Sequence, residues 1–90
     1  MTYTELKRRI TKGTVLEVVA SRALPAGLRR TVTRTTGQTV YYQWISPGLE
    51  MLPRNGAASW GTAGSVRINE DGSWTRAAGT VAETTWRIAS

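Results

Sequence analysis

Apolar positions follow two different periods along the chain. Over residues 2–11, Leu6 and Ile10 stand four apart and Tyr3 lies one turn before Leu6. That spacing places all three on one stripe of a short helix. Thr2 or Thr4 can cap its start, and Glu5 suits the positive end of its dipole. Lys7, Arg8, Arg9 and Lys12 gather toward the negative end, and Gly13 supplies a stop. A helix of about three turns is marginal in isolation and has to be held by packing.

From Thr14 onward the period is two. Thr14 to Ala20 reads as a strand with Leu16, Val18 and Ala20 on one face and Val15, Glu17 and Val19 on the other. Ser21 to Leu28 contains Pro25 and Gly27 and reads as a loop. Arg29 to Thr36 and Gln38 to Ile45 form a hairpin turning at Thr36-Gly37, closed by Ser46-Pro47-Gly48. Gly48 to Gly64 holds Pro53, Asn55-Gly56, Gly61 and Gly64, and reads as a long loop in which Met51, Leu52 and Trp60 pack back as anchors. Ser65 to Asn69 and Ser73 to Ala77 make a second hairpin around Glu70-Asp71-Gly72. Thr80 to Ile88 is a final strand alternating Ala82, Thr84, Trp86 and Ile88.

These elements predict a mainly β protein, bordering on α+β, in a single domain over residues 1–90. A short N-terminal helix precedes a small curved antiparallel sheet or partly open barrel of five to six strands, of SH3-like or OB-like architecture. A flat sheet with the helix on one face is the alternative. The 14 threonines, with Val, Ile, Tyr and Trp, agree with the strand-rich reading.

Composition then narrows the chemistry. The chain has no Cys and no His. A disulfide scaffold, a thiolate or imidazole metal site, a Cys nucleophile and a Ser–His pair therefore lack their atoms. Glu70 and Asp71 sit in a turn, and Glu17 takes a solvent-facing strand position. Lys7 and Lys12 lie at an exposed helix end, a poor place for a base of lowered pKa. The expectation is a protein that is not an enzyme and uses no cofactor or metal. Gly61-Thr62-Ala63-Gly64 matches the bare G-x-x-G of a KH clamp, but the helices that motif needs are missing.

No run approaches the ~18 apolar residues of a membrane span. Lys7-Arg8-Arg9 ahead of Val15 to Ala20 loosely mimics a signal peptide, yet Glu17 and Arg22 break the uncharged core it requires. A cytoplasmic location without membrane contact is expected.

The net charge of +6 favours a polyanionic partner, DNA or RNA. All of the excess lies in residues 1–34. The abundance of Arg over Lys also fits a coding bias toward GC-rich codons, in which case the charge only solubilises. In the central hairpin, Val32, Val40, Tyr42 and Trp44 are assigned to the core face. Thr31, Thr33, Thr35, Thr39, Tyr41 and Gln43 form a polar outer face flanked by Arg29, with the heads of Arg30 and Arg34 in water at the rim.

The leading expectation is a non-enzymatic nucleic-acid-binding module. Lys7, Arg8, Arg9, Lys12, Arg29, Arg30 and Arg34 would contact phosphates while Tyr41 stacks on bases. The competing expectation is a protein-interaction or structural accessory module of a bacterium or phage, self-association included. It would bind through a sheet edge or a patch of Trp60 and Trp74, with Trp44 and Trp86 in the core.

Overall fold

The computed structural model describes residues 1–45 and 55–89. The expected strand closure at Ser46-Pro47-Gly48 and the anchors Met51 and Leu52 lie outside the described residues. Helix α1 spans Tyr3–Arg9, and the Thr2 hydroxyl caps it by accepting from the Glu5 N–H at 3.2 Å. The predicted stripe holds: Leu6 and Ile10 are buried and Tyr3 is partly buried against the same core.

Among the described residues seven strands follow, β1 (Val15–Ser21), β2 (Arg29–Thr35), β3 (Thr39–Trp44), β4 (Asn55–Ser59), β5 (Val66–Ile68), β6 (Trp74–Arg76) and β7 (Thr84–Ile88). They form one antiparallel sheet in the order β4-β3-β2-β1-β7-β6-β5. The sheet curls into a half-barrel. Leu16, Val18, Val32, Val40, Trp74 and Trp86 line its inner face, and α1 packs there through Leu6 and Ile10.

Five to six strands were expected, and β4 is the addition. Asn55-Gly56-Ala57-Ala58-Ser59 has no β-branched or aromatic residue, so nothing local marks it as a strand. It forms because β3 offers it a partner, with Tyr42 opposite Gly56. The Tyr42 ring lies over that glycine, where a Cβ would stand only 2.6 Å from the ring atoms. The final strand is shorter than expected, because Thr80 to Glu83 belong to a turn in which the Thr80 N–H and hydroxyl both donate to the Ala77 carbonyl. The hairpin at Glu70-Asp71-Gly72 is as read, with Gly72 at φ +87° and the Asp71 carboxylate accepting from the Ser73 N–H and hydroxyl.

Two bulges decide which side chains face outward. Val19 is an extra residue between the Val18–Trp86 and Ala20–Thr85 pairs, so Ala20 leaves the core face assigned to it and is exposed. Thr33 is extra between the Val32–Tyr42 and Arg34–Tyr41 pairs. Arg34 therefore moves from the predicted core rim to the outer face beside Tyr41, and Thr35 joins Val40 on the inner side.

The curl brings the two ends of the sheet toward each other. An Arg76 Nη1–H on β6 donates to the Ser59 carbonyl on β4 at 2.7 Å. Trp60, directly after β4, turns into the core and donates its indole N–H to the Thr36 carbonyl at 2.7 Å. The Tyr3 hydroxyl of α1 donates to the Gly61 carbonyl, also at 2.7 Å. Helix, hairpin turn and sheet edge thus meet around one indole ring. Among the described residues, no helix is long and apolar enough to cross a membrane.

Candidate nucleic-acid interface

The segment from α1 to Gly13 meets the β2–β3 hairpin at two points. Lys7 Nζ donates to the Gly37 carbonyl in the hairpin turn at 3.2 Å. The Gly13 N–H donates to the Val32 carbonyl at 2.8 Å, which lays the Lys12-Gly13 backbone beside the β2 bulge. Arg8, Arg9 and Lys12 are exposed, and so is Arg34, just past that bulge. Lys7 serves the fold as well: its ammonium lies 5.2 Å from the Trp60 ring centre and 5.7 Å from that of Tyr3.

Tyr41 is half-buried with the Arg34 guanidinium over its ring at 4.2 Å. The ring expected to stack on a base is thus covered by a cation, which it holds flat at the surface. Thr31, Thr39 and Gln43 share this outer face, as read from the sequence. Arg8, Arg9 and Lys12 are thus exposed cations on the segment that these two bonds join to the hairpin of Arg34, and Glu5 is the acid of the helix's first turn.

Arg29 and Arg30 do not join this group. Arg29 lies at the opposite end of β2, where its Nε–H donates to Glu17 Oε2 at 2.7 Å. Glu17 is also gripped from β7, with Arg87 Nε–H donating to Oε1 at 2.6 Å and Arg87 Nη2 in contact with the same oxygen. The expectation of a solvent-facing Glu17 is therefore corrected: it is on the outer face but only 8% exposed beneath two guanidiniums. Arg87 is the residue sequence reasoning missed. Its position opposite Glu17 follows only once β7 is known to pair with β1.

The bonds from Arg29, then Arg87, hold the Glu17 carboxyl below its ordinary value of 4.5. A lowered carboxylate pKa stabilises the fold above the unfolded value, and that contribution is lost as pH falls through the folded value. Thermal melts of E17Q and wild type should thus differ most near neutrality and converge between about pH 5 and pH 3. A gap that does not change with pH would exclude this role. Asp71, lowered by its bonds to Ser73, adds its own acid-range loss to both proteins.

Arg30 was expected to have its head in water, but only 8% of it is exposed. Its register opposite Trp44 and beside Val32 turns it inward. There its guanidinium centre lies 3.9 Å from the Tyr42 ring, 4.0 Å from Trp86 and 5.6 Å from Trp44. Loss of hydration lowers its pKa to about 10, with Tyr42 opposing the change and Arg76 adding to it. It stays charged at neutral pH and is removed from any surface contact.

Trp60 and Trp74 also depart from their reading as an exposed patch, being 8% and 4% exposed. Trp60 fills the space between α1 and the hairpin turn, and Trp74 pairs with Trp86 across β6 and β7 on the inner face. Trp86 is buried as expected, and Trp44 is partly so. Among the described residues, no group of three or more acids gathers that could hold a metal ion. No protein-family model matches the chain, and no curated protein or solved structure does either.

Proposed function

We propose that this chain binds DNA or RNA through the phosphate backbone, using Arg8, Arg9, Lys12 and Arg34 around the end of the β2–β3 hairpin. The observation that carries the reading is the double attachment of the basic helix end to that hairpin, at Lys7–Gly37 and Gly13–Val32. It joins the segment that bears Arg8, Arg9 and Lys12 to the hairpin that bears Arg34. Arg34, held flat on Tyr41, offers a fork suited to a phosphate or to the face of an unstacked base. Phosphate contacts position a nucleic acid without reading its sequence, so weak sequence preference is expected.

Fluorescence anisotropy with random single strands and duplexes tests this. Log affinity should fall linearly with log salt, with a slope of about −2 to −4 for three or four phosphates neutralised. Absence of binding at about 25 mM salt, where the electrostatic contribution is largest, would rule it out.

A second reading rests on β4, which pairs with β3 and, among the described residues, is the last strand at its end of the sheet. It carries neither a charge nor a proline to discourage pairing. Self-association through this edge would appear as a dimer in sedimentation whose amount does not change with salt.

A further inference from the structure

Arg30 and Arg76 both line one cavity of about 30 Å³ under the helix, walled chiefly by apolar groups such as Leu6, Leu16, Trp60 and Trp74. That space admits a few heavy atoms and nothing as large as a nucleotide. Arg30 is more than nine-tenths enclosed, and its Nε–H has no hydrogen-bond partner among the described residues. Tyr42 and Trp86 compensate the cation through their ring faces. Those faces and a side-chain hydrogen bond to Tyr42 leave the Nε–H edge of the guanidinium without an acceptor among the described residues.

Arg76 spends Nη1 on the Ser59 carbonyl. Among the described residues, neither guanidinium forms an ion pair with a carboxylate. Arg30 thus carries its charge in apolar surroundings with the half-buried Arg76 as a second cation on the same cavity, and among the described residues no carboxylate pairs with either. Burying an unsatisfied charged donor is costly, and a native protein that keeps one has an acceptor to supply.

We propose that this cavity is an anion site that takes a small carboxylate, with Arg30 as its main ligand and Arg76 as the second. A carboxylate is planar and presents two oxygens to match the guanidinium fork, and its single charge answers the uncompensated cation. A tetrahedral dianion such as sulfate is bulkier than a small carboxylate and does not match the planar fork in the same way. The site is separate from the exposed cations at the hairpin end, and it stands or falls independently of nucleic-acid binding.

Formate is the probe. Thermal melts of the full chain are run at constant ionic strength, with sodium formate replacing sodium sulfate up to about 200 mM. Sulfate strengthens burial in any protein, so the exchange by itself should lower the midpoint. Wild type should instead rise by about 5 °C and saturate, while R30M, an unbranched apolar replacement, should not rise. An equal response in both proteins overturns the proposal.

Should R30M fail to fold, the Arg30 Nε–H resonance of the wild-type protein decides. A saturable shift with formate supports the site, and an unmoved resonance refutes it. A fluoride arm separates carboxylate recognition from general anion binding: an equal shift with fluoride overturns the assignment to carboxylates.

Discussion

Replacing Trp60 by alanine is expected to cost about 3–5 kcal/mol and to lower the thermal midpoint by about 15–30 °C. Trp60 is buried where three elements converge. Its ring packs among the core residues of helix and sheet, its indole N–H satisfies the Thr36 carbonyl, and its face meets the Lys7 ammonium. Alanine removes the ring and leaves that carbonyl without a protein donor. Phenylalanine keeps most of the volume and loses only the hydrogen bond, so W60F should fall roughly 1–2 kcal/mol below wild type. A W60A protein melting within about 5 °C of wild type would mean that the indole does not hold the helix to the sheet.

The triple variant R8Q/R9Q/K12Q should lose about 30- to 300-fold in nucleic-acid affinity at low salt and flatten the salt dependence by two to three phosphates. These side chains are exposed, and the helix is anchored by Leu6 and Ile10. The far-ultraviolet circular dichroism should therefore be unchanged. R22Q/R67Q, which removes exposed cations elsewhere on the molecule, is the control. It should change affinity by no more than about threefold. If both variants weaken binding equally per charge removed, net charge rather than a built surface is responsible, and the proposed interface is wrong.

Much of the fold is legible in the residues because hydrophobic spacing is a local property. Tyr3, Leu6 and Ile10 announce the helix stripe, Leu16 and Val18 the inward face of β1, and Asp71-Gly72 the second hairpin. What escapes is set by partners distant in sequence. β4 has no strand-forming residue of its own and owes its conformation to β3. Alternation predicts facing only as far as the next bulge, and Val19 and Thr33 each reverse it, which is why Ala20 and Arg34 were placed on the wrong face.

The candidate site shows the same division. The basic helix end is visible in the sequence, whereas its attachment to the hairpin turn depends on a contact spanning Lys7 and Gly37. Arg30 was misplaced for a different reason. Its inward register follows from Val32, but the rings that make burial tolerable come from β3 and β7, and chemistry alone argued for a head in water.

The position of β7 carries a consequence for synthesis. It is inserted between β1 and β6, so among the described residues the strand ladder of β5 and β6 joins the rest of the sheet through it. While a ribosome is still short of Thr84, β1 has β2 as its sole neighbour, and Val18 and Glu17 lack their opposite residues Trp86 and Arg87. A nascent chain at that stage exposes an apolar strand edge near the middle of the future sheet, the kind of surface that invites chaperones or aggregation. Productive folding must therefore await translation of Thr84 to Ile88, and codon pauses ahead of that segment lengthen the vulnerable interval.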